Sequence, residues 1–181
     1  MHPQLQAISN ELEAASARLA RLRTTVPAER WAQRKDPRRW SVVECVAHLN
    51  LSSAFMLPPL EAAVAEARTR PREPGPMQQG LFGWLLAKTV GPEFRGRMQT
   101  APKMVPAGAP DPGVVVEEFG RWQERALALV RSADGLALGR VWITSPINAR
   151  IRYTAFAGLR ILSRHQHRHL QQAERVWAPA D

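Results

Sequence analysis

A single cysteine, Cys45, stands among 181 residues, so no internal disulfide framework can form and a reducing, cytoplasmic setting is expected. No uninterrupted apolar run approaches the ~20 residues a membrane-spanning helix needs, so no membrane partner is expected. The opening Met1-His2-Pro3-Gln4 lacks a charged region followed by an apolar one, which argues against a signal peptide. A Gly-rich phosphate loop is missing, and so is a Ser/His/Asp arrangement. Acidic residues are the scarcer charge, 16 Asp and Glu against 25 Lys and Arg, for a formal net charge of +9. That excess either decorates an Arg-rich soluble surface or meets a negative partner: nucleic acid, an anionic lipid surface or an acidic small molecule. The basic residues are scattered along the chain. No helix gathers them on one face with the small residues of a groove reader. The surface reading is therefore preferred and nucleic acid is not the expected partner.

What is present is helical periodicity. Leu5, Ile8, Leu12, Ala15, Leu19 and Leu22 recur at steps of three and four, predicting an amphipathic helix from Gln4 to about Thr24. Ser41 followed by Glu44 is a capping box, so a second helix starts there and carries Cys45, His48, Ser52 and Met56. Pro58-Pro59 is expected to kink or restart it, with helix resuming from Leu60 to about Arg68. The segment Arg70 to Pro76 then breaks the helix. Leu81 to Leu86 reads as a short apolar helix or lid. Five prolines between Gly91 and Gly113 exclude a regular element there, and a loop that long is either a surface crossover or a cover for a site. Asp111-Pro112 opens a further helix through Val115, Phe119, Trp122, Ala126, Leu129 and Val130, which Asp134-Gly135 ends. Gly139 to Tyr153 reads as a connection whose Arg150 and Arg152 face either an anionic ligand or solvent. A last helix runs from about Thr154 to Val176 or Trp177. Hydrophobic residues at 45% and charged residues at 23% suit a globular protein. The expected architecture is all-α: a four-helix bundle, an up-down variant with long crossover connections, in one domain over residues 1–181.

Chemistry concentrates in Arg164-His165-Gln166-His167-Arg168-His169-Leu170. His165 and His169 lie one turn apart on one helical face, and His167 points elsewhere. Leu162, His165, His169 and Val176 share the apolar seam, so both histidines occupy places where a bundle helix puts core residues. With His48 from the second helix they would form a three-imidazole metal site with an open position. The alternatives are an anion-binding or solvated basic face, and a hydrogen-bonded core histidine at His48. The metalloprotease motif is excluded because Gln166 stands where its Glu would be. Cys45 is either a soft-metal ligand or, preferably, a small buried hydrophobe.

Two stretches resemble signatures of the DinB/YfiT-like family. Trp40-Ser41-Val42-Val43-Glu44-Cys45-Val46-Ala47-His48-Leu49 resembles its W-S-x-x-E-x-x-x-H-L motif, and His165-Gln166-His167-Arg168-His169-Leu170-Gln171-Gln172 resembles its H-x-x-x-H-L-x-Q motif. Lys103-Met104-Val105-Pro106 resembles a K-x-x-P segment of the same family. The resemblance implies a four-helix bundle holding a divalent transition metal (zinc, nickel, iron or manganese) through His48, His165 and His169. It also implies frequent homodimers, and activities that include transfer of a low-molecular-weight thiol such as bacillithiol, mycothiol or glutathione onto an electrophilic small-molecule substrate, and some isomerases.

Three imidazoles with an open position can lower the pKa of a bound thiol or water. Arg164 and Arg168, if near, would keep the imidazoles neutral, and Gln172 is a candidate partner for a ring nitrogen. No general base is evident, which favours thiol S-transfer over a hydrolase reaction. The other reading is a metal- or small-molecule-binding bundle without turnover, its pocket lined by Trp84, Trp142 and the proline-rich loop.

Overall fold

In the computed structural model each long helix begins where a capping side chain accepts from one of its free N–H groups. The structure describes residues 1–178 except 74, 97, 98 and 109. Pro74, expected in the break after the second helix, therefore lies outside the described residues. Helix α1 spans Pro3–Thr25, with proline at its first position and the His2 ring accepting from the Gln4 N–H. Helix α2 spans Val42–Arg68. The Ser41 hydroxyl accepts from the Glu44 N–H, and the Glu44 carboxylate accepts from the Ser41 N–H at 2.8 Å, which is the reciprocal capping box. Helix α3 spans Leu81–Thr89, α4 spans Pro112–Ser132 with Asp111 as its cap, and α5 spans Ala155–Trp177 with Thr154 as its cap.

Two expectations are corrected. Of the kink or restart expected at Pro58-Pro59, it is the restart that does not occur: helix α2 runs through both prolines as one element. The carbonyls that lose donors belong to Ala54 and Phe55, and both Ala54 and Pro58 lie on the exposed side, while Met56, Leu57 and Leu60 are buried on the other. Burial on both sides of the prolines therefore outweighs two missing backbone bonds. The connection from Gly139 to Tyr153 is not irregular throughout. Trp142–Thr144 (β1) pairs antiparallel with Arg152–Thr154 (β2), Ile143 opposite Tyr153, both buried. The β-branched and aromatic residues of Val141-Trp142-Ile143 suit a half-buried strand, so the fold is mostly helical with a small hairpin and not purely α. Among the described residues no helix is long and apolar enough to cross a membrane.

The four long helices pack on one another, α2 and α4 each against neighbours, with α1 and α5 closing the set. Their buried side chains form two clusters. One contains Leu5, Ile8, Leu12, Leu57, Leu60, Phe156 and Leu162; the other contains Ala15, Leu19, Val46, Leu49, Phe119 and Leu170. A polar waist separates them. Gln166 on α5 donates to Gln123 on α4 at 2.6 Å, and the Gln123 amide donates to the Leu12 carbonyl and to Ser16 on α1. His48 and Ser52 on α2 fall between Val46 and Met56. His165 and His169 fall between Leu162 and Leu170, so the histidines lie at the same level as that waist.

Candidate metal centre

Helical spacing brings His165 and His169 together, and packing of α2 on α5 adds His48. The three rings lie with centroids 4.4–5.1 Å apart. One ligand atom from each, taken together, lies within 4.8 Å of the others, and no cysteine or carboxylate among the described residues joins them. His48 and His169 are buried; His165 is half-buried. Trp40, one residue before the cap of α2, lays its ring 4.8 Å from His48 and 5.8 Å from His169, walling the cluster on one side.

Hydrogen bonds set the tautomers. His48 Nδ1 lies 2.7 Å from the Met104 carbonyl, which can only accept, so this nitrogen carries the proton and Nε2 keeps its lone pair. His169 Nδ1 lies 3.1 Å from Gln172 Oε1, one turn on, and donates to it. His48 Nε2 and His165 Nε2 face one another at 3.3 Å. Two imidazole nitrogens at ~2.0–2.1 Å from a tetrahedral ion stand about 3.3 Å apart, so this pair fits a shared ion. His165 Nδ1 is buried with no hydrogen-bond partner among the described residues, so in either neutral tautomer the ring keeps one unmet nitrogen. An ion taking the Nε2 lone pairs of His48 and His165 would relieve the facing pair. Burial lowers all three imidazole pKa values. His165 lies well below the ordinary range, with the other two rings and Arg168 adding to the effect. His169 is pushed down to about 3 by burial first, then by His48 and Arg168, and His48 is lowered by burial against the opposing Met104 bond. Neutral imidazole is the ligand form, so the cluster suits a divalent ion.

Other residues fall on either side of what their spacing suggested. His167 does point away, its Nε2 donating to the Glu11 carbonyl at 2.8 Å while Arg18 approaches its Nδ1. Arg168 contributes to the cluster electrostatically; Arg164 is instead taken up by the Ala87 carbonyl and Glu93. Cys45 lies in the apolar cluster with Leu49 and Phe119, and burial pushes its thiol pKa up, so it is the small hydrophobe and not a ligand. Arg150 and Arg152 are exposed and away from the site. Trp84 and Trp142 are exposed at 44% and 51% and line no part of the cavity, against the pocket role expected of them.

The histidines form the floor of a cavity of about 1160 Å³. The proline-rich connection does cover it. Phe94, Thr100, Met104 and Val105 line the roof, Pro146 and Ile147 of the hairpin loop join them, and Lys103 donates to the Pro146 carbonyl at 2.6 Å. Arg168 ties the connection down by donating to the carbonyls of Gly91, Phe94 and Gly96. The walls are Trp40, Met56, Leu86 and Ile161, and Tyr153 also lines the space, its hydroxyl pKa raised to about 12 by burial. Two functional features escaped the sequence. The Met104 carbonyl comes from 56 residues away, and a backbone acceptor leaves no residue-type signal. Arg34, in the polar connection, pairs with Glu44 and so anchors that connection to the start of α2.

The sequence model of the DinB superfamily matches residues 11–173. No curated protein and no solved structure matches the chain.

Proposed function

The chain belongs to the DinB superfamily, and on that premise we propose that it is a metal-dependent enzyme, a thiol S-transferase that joins a low-molecular-weight thiol to an electrophilic small molecule. The observation that carries the reading is the convergence of His48, His165 and His169 at the floor of a large, mostly apolar cavity. We read residues 1–181 as one domain, its four long helices an up-down bundle, with His48, His165 and His169 as the ligands. A divalent transition ion held there, zinc, nickel, iron or manganese, supplies Lewis acidity that makes a thiol nucleophilic at neutral pH.

The chain's own residues do the rest. The Met104 carbonyl and Gln172 fix the tautomers of His48 and His169, so both present lone pairs without having to release a proton. Trp40, Met56, Leu86 and Ile161 give the electrophile an apolar wall beside the floor. Tyr153 keeps its proton at neutral pH and can donate a hydrogen bond into the cavity. The only carboxylate among the described lining residues is Asp36, engaged by Arg38 and Arg39. Hydrolysis calls for a base to activate water. A cavity without a free carboxylate therefore favours transfer of a thiol whose proton is already lost.

Elemental analysis of untagged protein tests the reading. About one equivalent of transition metal in the native chain, lost in His48→Ala and in His169→Ala, is expected, together with thiol consumption against an electrophile such as 1-chloro-2,4-dinitrobenzene. A native chain that takes up no zinc, nickel or manganese overturns it. Metal uptake without turnover of any thiol would leave a binding bundle instead.

A further inference from the structure

The charges around the cavity are lopsided. Among the described residues that line it are Lys35, Arg38, Arg39, Arg95, Arg168 and Arg175, against the single acid Asp36. The carboxylates nearest in sequence are already committed elsewhere: Glu44 to Arg34, Glu93 to Arg164, and Glu174 to Arg18 at 2.5 Å. Among the described residues, the cations lining the cavity therefore outnumber the acids, and the neighbouring carboxylates Glu44, Glu93 and Glu174 are spent on other arginines.

Their positions are ordered. On α5, His165, Arg168, Gln172 and Arg175 follow at helical spacing along the side that faces the cavity, running from floor to mouth. Arg175 is exposed and makes no hydrogen bond or ion pair with a described residue. The connection before α2 adds Arg38 and Arg39 to the lining, whose side chains are 89% and 66% exposed and share one carboxylate. Apolar walls lie between this cationic mouth and the imidazole floor.

We infer that the cavity is selective for organic anions, taking a small molecule whose apolar body lies against Trp40, Met56 and Ile161 and whose carboxylate or sulfonate group sits between Arg175 and Arg39 at the mouth. This deepens the reading of the cavity as the substrate site and rests on it. Its volume exceeds the ~300–1,000 Å³ of ordinary ligand pockets, so it has room for such a molecule beside the floor. Like-charged arginines held at a common mouth repel one another, and an anion between them relieves that repulsion as well as binding.

The test uses octanesulfonate, a poor metal ligand, and octyltrimethylammonium, which matches its chain with the opposite charge. Calorimetric titration is run on the full chain after chelation and again after loading with zinc. Octanesulfonate is expected to bind at least ten times more tightly than the cation in both states. Arg175→Gln and Arg39→Gln should each weaken it about fivefold, the size of one partly exposed ion contact. Arg150→Gln, which removes an exposed cation outside the cavity, should leave it unchanged. Equal affinity for the two ions, no binding of either, or equal losses in Arg150→Gln and Arg175→Gln would overturn the inference. Because the chelated protein is measured too, these outcomes are separable from failure of the metal reading, which elemental analysis reports alone.

Discussion

Replacing Glu44 by Gln removes one charge from the start of α2 and should cost stability only while that charge exists. Glu44 is 5% exposed. Its Oε2 accepts from the Ser41 N–H and hydroxyl, both at 2.8 Å, and from Arg34 Nε at 2.8 Å, while Arg34 also reaches Oε1. The Arg34 bond, opposed by burial and aided by Ser41, holds the carboxyl pKa down to about 2 from the usual 4.5. At ~1.4 kcal/mol per pH unit that gap corresponds to about 3 kcal/mol. The Arg34 side chain is 45% exposed, so solvent screens the pair and a net contribution of ~1–2 kcal/mol is expected. The sign follows from the depressed folded value. The unfolded chain takes up the proton first as pH falls, so the contribution is whole above about 4.5 and is lost between there and about 2. Gln can still accept from the Ser41 N–H, so Glu44→Gln isolates the charge. Urea unfolding of parent and variant at pH 7 and again near pH 3 gives the two gaps. The variant should be less stable at pH 7, and the gap should shrink by pH 3. A gap that is absent at pH 7, or unchanged at pH 3, would refute the reasoning.

Gln172→Leu removes the acceptor of the His169 Nδ1 proton and should weaken zinc binding ~10–100-fold in a competitive chelator titration, with the fold intact by circular dichroism. Gly83→Ala would bring a methyl group within 2.5 Å of the Ala157 side chain, where α3 rests on α5, so a loss of ~1–3 kcal/mol in urea unfolding is expected. Pro58→Ala should instead stabilise the chain by ~1–2 kcal/mol, because the exposed side of α2 regains a donor for the Ala54 carbonyl, and thermal unfolding should shift upward.

Much of this protein is written in interactions of short range. The stripe Leu5, Ile8, Leu12, Ala15, Leu19 and Leu22 is legible because helix period alone places it on one face, and every member is buried. Ser41 with Glu44, Asp111 with Pro112 and Thr154 mark helix starts because capping joins residues two or three apart. His165 and His169 share a face, and Gln172 reaches His169, for the same reason. What needed tertiary structure involves partners that helix period cannot relate. The Met104 carbonyl meets His48 across 56 residues, and Arg34 meets Glu44 across a loop with no regular spacing. The passage of α2 through Pro58-Pro59 turns on burial either side of the prolines, a quantity no local propensity contains. The hairpin of β1 and β2 exists because two three-residue strands, too short to signal themselves, find each other against the core. Local spacing chose the residues that carry the candidate chemistry; only the packing of α2 on α5 brought the third imidazole to the other two, because the free energy that does so is spread over the whole apolar interface between them.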